Sequence, residues 1–486
     1  MISREKDEPA MTVSRKYNIL FLVVFLVSLI LRLGLTLVNR QANDSHMAVV
    51  YLILKTNSLP IWRECGECIQ PKLYHYTAAL TIEGLGLAHA DVGTLWLVAQ
   101  LDNFVAGMII VIIAWIFIRK LPFKNDLLKL LAFALAALNP ALIGINAQAT
   151  NDTFAILFST LALYLTYIFC KKQKIGIFLL VLLFTELGIV SKPNAWVTAI
   201  AILLVLLARA ITSKIQAKKT WLYSAAFLIT IPILTVLNPL SQYIVNYQKY
   251  GMPIPIDVRR APLPNLTGYT PGCEPFNRYC RPGILSVKSG FFTFQFVSLL
   301  EHPRNEGVSK DFPAFQTSFW TFMYAGAHSI HFLNFPDSWR TSGTEGFTIA
   351  RAIFILALLP TALILVGLAI EVYYFLKGIF RKDPTMTQLT SHGLFALTFI
   401  GYLLFVALYT YLYRDFSYMK AIFAFPALLT FPYLFLRAAE PIYAFLSKRV
   451  RWSTYILDAG MIALLLFYVL DAGTMIAQIY LNRYPF

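Results

Sequence analysis

Two carboxylates stand beside apolar runs at points where they could do chemistry. Asp44, in Asn43-Asp44-Ser45-His46, follows the first apolar run, and Asp152, in Asn151-Asp152-Thr153, opens a middle one. A carboxylate so placed can take a proton from an acceptor hydroxyl. It can equally cap a helix, because Asn and Asp accept from the free N–H groups of a first turn. The run Gln70-Pro71-Lys72-Leu73-Tyr74-His75-Tyr76 brings together a cation, an imidazole and two phenols. Lysine binds phosphate as a point charge, so this group suits an anionic head group. The alternative is an aromatic belt with a snorkelling lysine. Lys192 in Ser191-Lys192-Pro193-Asn194, Arg414 in Tyr413-Arg414-Asp415, and Lys420 add three more cations. Snorkelling for Lys192 and a local ion pair for Arg414 are the competing readings. Arg32, Glu186 and Glu371 read as structural groups.

The elements that hold these residues are set by composition. The 486 residues are 58% hydrophobic and only 14% charged, against roughly 25% charged in a soluble domain. Apolar runs of about 20 residues recur, enough to cross a hydrocarbon core of about 30 Å. Candidate spans lie at 18–38, 94–118, 127–143, 153–170, 175–190, 194–212, 221–238, 347–376, 392–411, 416–436 and 455–474. The expected fold is therefore an all-α polytopic membrane protein with about eleven transmembrane helices. The segment before residue 18 is charged and lacks a small-residue cleavage site, so the first run is expected to be a retained helix.

Orientation follows from charge. The net charge is +16, and an interior N-terminus places roughly half of the 41 Lys and Arg residues on short interior loops. Nucleic-acid binding is not expected, since no binding motif or basic-aromatic stripe accompanies the charge. Lys192 is the exception, a cation on a short outer turn where the rule expects none. The first outer loop, 39–93, contains two broken apolar stretches, Met47–Trp62 and Leu73–Ala90, which read as interfacial helices. Residues 241–346 read as an extracytoplasmic loop domain, with 1–240 a transmembrane catalytic module and 347–486 the C-terminal helices. Cys65, Cys68, Cys273 and Cys280 all fall outside, where disulfides are permitted. Pairing within each couple or between the two segments is open, and a four-Cys zinc site has a poor spacing. Cys170 reads as a buried free thiol.

A P-loop, GxSxG, HExxH and Rossmann glycine motif are all missing from the sequence, which argues against a nucleotide-dependent enzyme on the inner face. The pattern resembles the GT-C superfamily of polyprenyl-phosphate-sugar glycosyltransferases, in its protein O-mannosyltransferase and aminoarabinose-transferase-like branch. The likeness is carried by Asp44 after the first span and by the Gln70–Tyr76 segment. It continues in Asn151-Asp152, Lys192-Pro193-Asn194, and the run from Arg414 to the Pro-rich span ending at Pro432. It covers 18–240 well, 347–436 loosely and the outer loop hardly at all. Asp44-Ser45 stands where many members have Asp-Glu, and Lys72 where the family often has a second Pro.

The resemblance implies an inverting transfer from an undecaprenyl or dolichyl phosphate sugar to an acceptor hydroxyl on the extracytoplasmic side. Asp44 would be the general base and Asp152 would assist positioning. Lys72, Tyr74, His75, Lys192 and Arg414 would bind substrate, with the cations on the lipid phosphate. No cofactor and no metal is expected. The partners implied are the lipid-linked donor, a lipid, glycan or protein acceptor, and membrane lipids. A bacterial inner membrane is favoured over the endoplasmic reticulum. Two other readings compete. A glycan polymerase or ligase of the O-antigen type would rest on Arg259, Arg260 and His302. A transporter would give no covalent product.

Overall fold

The computed structural model describes residues 14–40, 45–212, 217–253, 287–303, 318–329, 345–381, 386–413, 419–449 and 451–483. Within them the chain is all helix, with no strand. The N-terminal part runs α1 (Arg15–Val38), α2 (His46–Thr56), α3 (Leu73–Gly84), α4 (Val92–Lys120), α5 (Asp126–Ala137), α6 (Pro140–Asn146), α7 (Asp152–Lys172), α8 (Ile175–Ser191), α9 (Trp196–Thr212) and α10 (Ala217–Leu237). Short helices α11 (Tyr243–Tyr250), α12 (Val287–Phe291), α13 (Phe296–Glu301) and α14 (Phe319–His328) follow. The C-terminal part is α15 (Glu345–Leu356), α16 (Leu358–Arg381), α17 (Met386–Tyr413), α18 (Thr430–Arg449) and α19 (Arg451–Arg483).

Each of the eleven apolar runs contains helix, but not every one is a simple span. Among the described residues eight helices are long and apolar enough to cross a membrane, and ten if each of two bent pairs counts as one span. The run 127–143 breaks into α5 and α6 with a 43° bend. Pro140 causes the break: it has no N–H to donate, and it pushes the residue before it out of helical backbone. Asn139 then caps α6, its Oδ1 accepting from Leu142 N at 2.9 Å. The run 416–436 is likewise a 3-10 turn, Ala421–Ala427, bent 75° against α18. Pro426 lies inside that turn. The run 175–190 is α8, a shorter apolar helix of 17 residues.

The two broken stretches of the first loop are helical, as α2 and α3. They pack on each other, and α3 packs on α4. Val49, Val50, Tyr74, Ala78 and Ile82 from their facing sides are buried with Ile110 and Phe154 in one apolar cluster. α2 ends where Asn57 adopts left-handed backbone, φ 50°, which an Asn side chain tolerates better than most. α7 packs against α4 and α8, and the Ala421–Ala427 turn lies against α7. These contacts bring the starts of α2, α3 and α7, the end of α8 and the 421–427 turn into one place.

Three buried polar groups brace this arrangement. Arg32 of α1 is fully buried. Its Nε donates to Asn146 Oδ1 at 3.0 Å and its Nη1 to the Ala137 carbonyl at 2.7 Å. Asn146 fits only because residue 107 is glycine, since a Cβ there would lie 2.6 Å from its side chain. Elsewhere, Glu186 of α8 accepts from Thr235 Oγ1 at 2.6 Å and Asn238 Nδ2 at 3.2 Å, tying α8 to α10. Glu371 of α16 is fully buried and accepts from Arg437 Nε and Tyr433 Oη of α18 and pairs with His392 of α17. All three have hydrogen-bond partners within the helix bundle.

Candidate active site

The turn between α6 and α7 builds the centre of the site. Its backbone carbonyls are held by side-chain amides from two other helices. Asn39 Nδ2 at the end of α1 donates to the Ala147 carbonyl at 2.8 Å, and Gln100 Nε2 of α4 to the same oxygen at 3.1 Å. Asn103 Nδ2 of α4 donates at 2.6 Å to the carbonyls of both Gln148 and Thr150. Buried backbone oxygens are costly to leave unpaired, so these amides set the path of the turn. The turn in turn fixes Thr150 and Asp152.

Asp152 is the first residue of α7, and Asn151 occupies the cap position without a side-chain capping bond. The carboxylate turns elsewhere. Its Oδ1 meets Lys192 Nζ at 2.5 Å, and its Oδ2 accepts from Thr150 Oγ1 at 3.0 Å. Lys192 closes α8 in extended backbone, and Pro193 begins a 3-10 turn after it. The Lys192 ammonium also lies 4.9 Å from the centre of the Phe423 ring. Lys420 lies 6.0 Å from the same ring. Asn194 Nδ2 donates to the Phe423 carbonyl at 3.2 Å, which holds the 421–427 turn against the end of α8. Two cations near one aromatic ring make this edge of the site electropositive.

A histidine pair extends the site toward α2 and α3. His46 Nδ1 and His75 Nε2 are 3.0 Å apart, and His46 Nε2 is 3.3 Å from Thr150 Oγ1. Both rings are buried. Burial holds the His75 imidazole well below its usual range, and the neighbouring His46, Lys72 and Lys192 push it the same way. His75 is thus neutral, and it reports that both lysines are electrostatic neighbours of the pair.

Lys72 sits just before α3 and is fully buried. Its Nζ donates at 2.6 Å to the carbonyls of Cys68 and Gln70. Burial lowers its pKa to about 7, partly offset by the carboxylates of Glu67 and Glu64. When protonated, an ammonium with neutral oxygens for partners has no counter-charge among them to offset its pull on an incoming anion. The carbonyls come from a turn closed by a Cys65–Cys68 disulfide, which decides for local pairing at this couple. Cys170 is free and buried.

Residues 92–237, which carry α4 through α10 and thus Asp152 and Lys192, match the family model described as dolichyl-phosphate-mannose-protein mannosyltransferase. The match covers under a third of the chain and includes the start of α7 and the end of α8. Three solved structures are similar to this chain. The S. cerevisiae protein O-mannosyltransferase Pmt1-Pmt2 complex bound to the sugar donor shares 12% identity over 57% of this chain and 39% of that one, with a TM-score of 0.38. The Archaeoglobus fulgidus oligosaccharyltransferase AglB, in complex with an inhibitory peptide and a dolichol-phosphate, shares 11% over 96% and 55%, with a TM-score of 0.47. ArnT from Cupriavidus metallidurans bound to undecaprenyl phosphate shares 12% over 88% and 78%, with a TM-score of 0.33. The chain spans well under two thirds of the first two. No curated protein matches its sequence.

Of the residues singled out from sequence, the fold brings Lys72, His75, Asp152 and Lys192 together. Tyr74 points away: its hydroxyl donates to the Ala99 carbonyl at 3.1 Å and its ring packs on Phe154. Asp44 and Arg414 lie outside the described residues, as do Cys273, Cys280, Arg259, Arg260 and most of 241–346. His302 is exposed at the end of α13. Among the described residues no group of three or more His, Cys, Asp and Glu side chains could hold a metal ion. Sequence reading missed His46, Thr150 and Phe423. His46 was in view two residues after Asp44, and a histidine opening an interfacial helix was the available signal. Thr150 and Phe423 carry no signal of their own.

Beside this cluster lies a mainly apolar cavity of about 510 Å³. Ala421, Ala424 and Phe425 form the wall nearest the site, and Asn139, His328 and Tyr468 supply polar points deeper in.

Proposed function

We propose that this chain is a membrane glycosyltransferase that moves a sugar from a polyprenyl phosphate, undecaprenyl or dolichyl, to an acceptor hydroxyl on the extracytoplasmic side, with inversion. The observation that carries the proposal is the gathering of Lys72, His75, Asp152 and Lys192 from three separate helices. One ammonium is held by neutral carbonyls and another by a single carboxylate, in a buried place where charge interactions are strong.

In the transfer, the acceptor oxygen attacks the anomeric carbon and a new C–O bond forms. The bond from that carbon to the phosphate oxygen breaks, and the lipid phosphate leaves with one more negative charge. Lys72 and Lys192 stabilise that charge as it develops, joined by Arg414 in the reading from sequence. The acceptor proton goes to Asp44, which stands two residues before His46 in the chain. Asp152 has both oxygens engaged, so its part is to hold the Lys192 ammonium in place. The apolar cavity suits the prenyl chain, whose burial there is favoured by the area removed from water. The scheme balances without a metal.

The test is transfer of radiolabelled sugar from a panel of polyprenyl-phosphate sugars, with wild type and Asp44→Asn at equal expression. Transfer that the variant lacks supports both the activity and the base role. Transfer at the wild-type rate in the variant overturns the base role of Asp44. If wild type uses no donor in the panel, the transferase reading is overturned for these donors.

A further inference from the structure

The disulfide turn before α3 has no part in the chemistry above, yet it touches the group that would bind the donor phosphate. Cys65 and Cys68 close a ring three residues apart in sequence. The turn inside is a 3-10 helix, Gly66–Ile69, with Cys68 N bonded to the Cys65 carbonyl at 3.2 Å and Gln70 N to the Glu67 carbonyl at 3.1 Å. Cys68 itself is buried, 2% exposed. Its carbonyl is one of the two oxygens that hold Lys72 Nζ, and the Gln70 carbonyl, at the end of the same turn, is the other. The far side of Lys72 is anchored separately, its backbone N donating to the Leu240 carbonyl at 2.8 Å. The backbone of Lys72 is thus fixed by the α10–α11 connection, while its ammonium is aimed by the disulfide turn.

An ammonium has three N–H donors, and two are spent on these carbonyls. The direction of the third follows from where the two oxygens stand. A four-residue turn has little to stabilise it alone, and a covalent link between its ends removes the alternatives. Without the link, the carbonyls of Cys68 and Gln70 are free to leave Nζ.

We infer that the Cys65–Cys68 disulfide is a positioning device for Lys72, and through it sets how tightly the site binds the phosphate of a polyprenyl lipid. This rests on the transferase reading. It does not make either cysteine catalytic, because neither sulfur touches the reacting atoms.

Equilibrium binding of undecaprenyl phosphate and dolichyl phosphate to the purified full chain tests it without relying on turnover. The variants are Cys65→Ser/Cys68→Ser, Lys72→Met, and the triple variant. Losing hydrogen bonds to a charged group corresponds to a weakening of about tenfold or more, so the double variant is expected to bind about tenfold more weakly. Lys72→Met is expected to lose at least as much, and the triple variant no more than Lys72→Met. That lack of additivity marks action through Lys72 and is not produced by a merely structural bridge. As a check on folding, the wild type is opened in place by a dithiol. Two electrons and two protons pass to the cystine, and the reagent becomes the disulfide. Binding should weaken, then return on reoxidation. Equal affinity of wild type and double variant overturns the inference alone. So does the same fold-loss from opening the bridge in Lys72→Met as in wild type. No binding of either lipid by wild type overturns the inference together with the transferase reading.

Discussion

Asp152 and Lys192 meet at 2.5 Å across forty residues of sequence, one at the start of α7 and the other at the end of α8. Their side chains are 8% and 11% exposed. A pair this buried is expensive to break from one side, because the remaining charge loses its partner. Lys192→Met is expected to destabilise the protein by about 3 kcal/mol and to reduce transfer at least tenfold. Asp152→Asn should cost less stability, since the amide still accepts from Lys192. Asp152→Asn/Lys192→Met should recover part of the stability lost by Lys192→Met, with no recovery of transfer. Thermal unfolding in detergent and labelled-sugar transfer on the same samples check this. Full additivity in stability would mean that the two groups do not act as a pair.

Lys72 gives a pH dependence with a definite sign. Burial lowers its pKa to about 7 from the ordinary 10.5. In that interval the unfolded chain holds a proton that the folded site has lost. Stability from this group therefore rises with pH between about 7 and 10.5 and is lower below 7. Binding of an anion runs the other way, being strongest below about 7, where the ammonium is charged, and weakening above it. The donor is a phosphate diester and does not titrate in this range, so the change belongs to the protein. KM for the donor should climb as pH rises from 6 to 9 in wild type. In Lys72→Met it should be high and flat, and Lys72→Arg should remove the climb while retaining charge. The flanking groups are Glu64, Glu67 and the neutral His75. A climb of equal size in Lys72→Met would assign it to another group.

Much of the membrane architecture is legible because hydrophobic length and loop charge are additive over short stretches. The eleven apolar runs all contain helix, and the two interfacial helices fall where charge and turn residues interrupt the apolar pattern. The bends are legible only afterwards. Pro140 and Pro426 sit inside runs that are apolar throughout, so a hydropathy reading passes over them. The site was half visible. Lys192 stood out as a cation against the positive-inside rule, and Asp152 as a carboxylate at a span end. That they face each other depends on how α7 packs on α8, which no local pattern records. The competing reading of Asp152 as a helix cap gives way, since its oxygens go to Lys192 and Thr150. Tyr74 shows the reverse problem: the same motif holds one ring that joins the site and one that joins the core, and a helix offset of one residue separates them.

Arg32 and Gly107 shape the site from a distance. Arg32 Nε holds Asn146, and Asn146 Nδ2 lies 3.3 Å from Thr153 Oγ1, next to Asp152. Gly107→Ala would put a methyl 2.6 Å from the Asn146 side chain, forcing it to move. The cost of overpacking such a place is about 1–3 kcal/mol. Arg32→Lys should fare little better than Arg32→Met, because one ammonium cannot replace a planar fork that reaches Asn146 and the Ala137 carbonyl at once. Both Arg32 variants should lower the unfolding temperature and the transfer rate together. Wild-type stability in Arg32→Lys would show that a single charge is enough.

Thr150 links the histidine pair to Asp152, and a hydroxyl has one proton to give. That proton goes to Asp152 Oδ2, so Thr150 Oγ1 must accept from His46 Nε2. The chain of contacts continues from His46 Nδ1 to His75 Nε2, 3.0 Å away. One hydroxyl thus joins the His46 ring to Asp152. Thr150→Ser keeps the hydroxyl and should retain transfer within about twofold, while Thr150→Val removes it. The valine leaves His46 Nε2 and Asp152 Oδ2 each short of a buried partner, worth about 1–3 kcal/mol. Transfer should fall about tenfold or more, as kcat, with KM for the donor little changed, because Lys72 is untouched. His46→Phe, which breaks the chain one step earlier, should fall to the same level, and Thr150→Val/His46→Phe no further. A Thr150→Val enzyme with wild-type kcat would show that Asp152 is held by Lys192 alone.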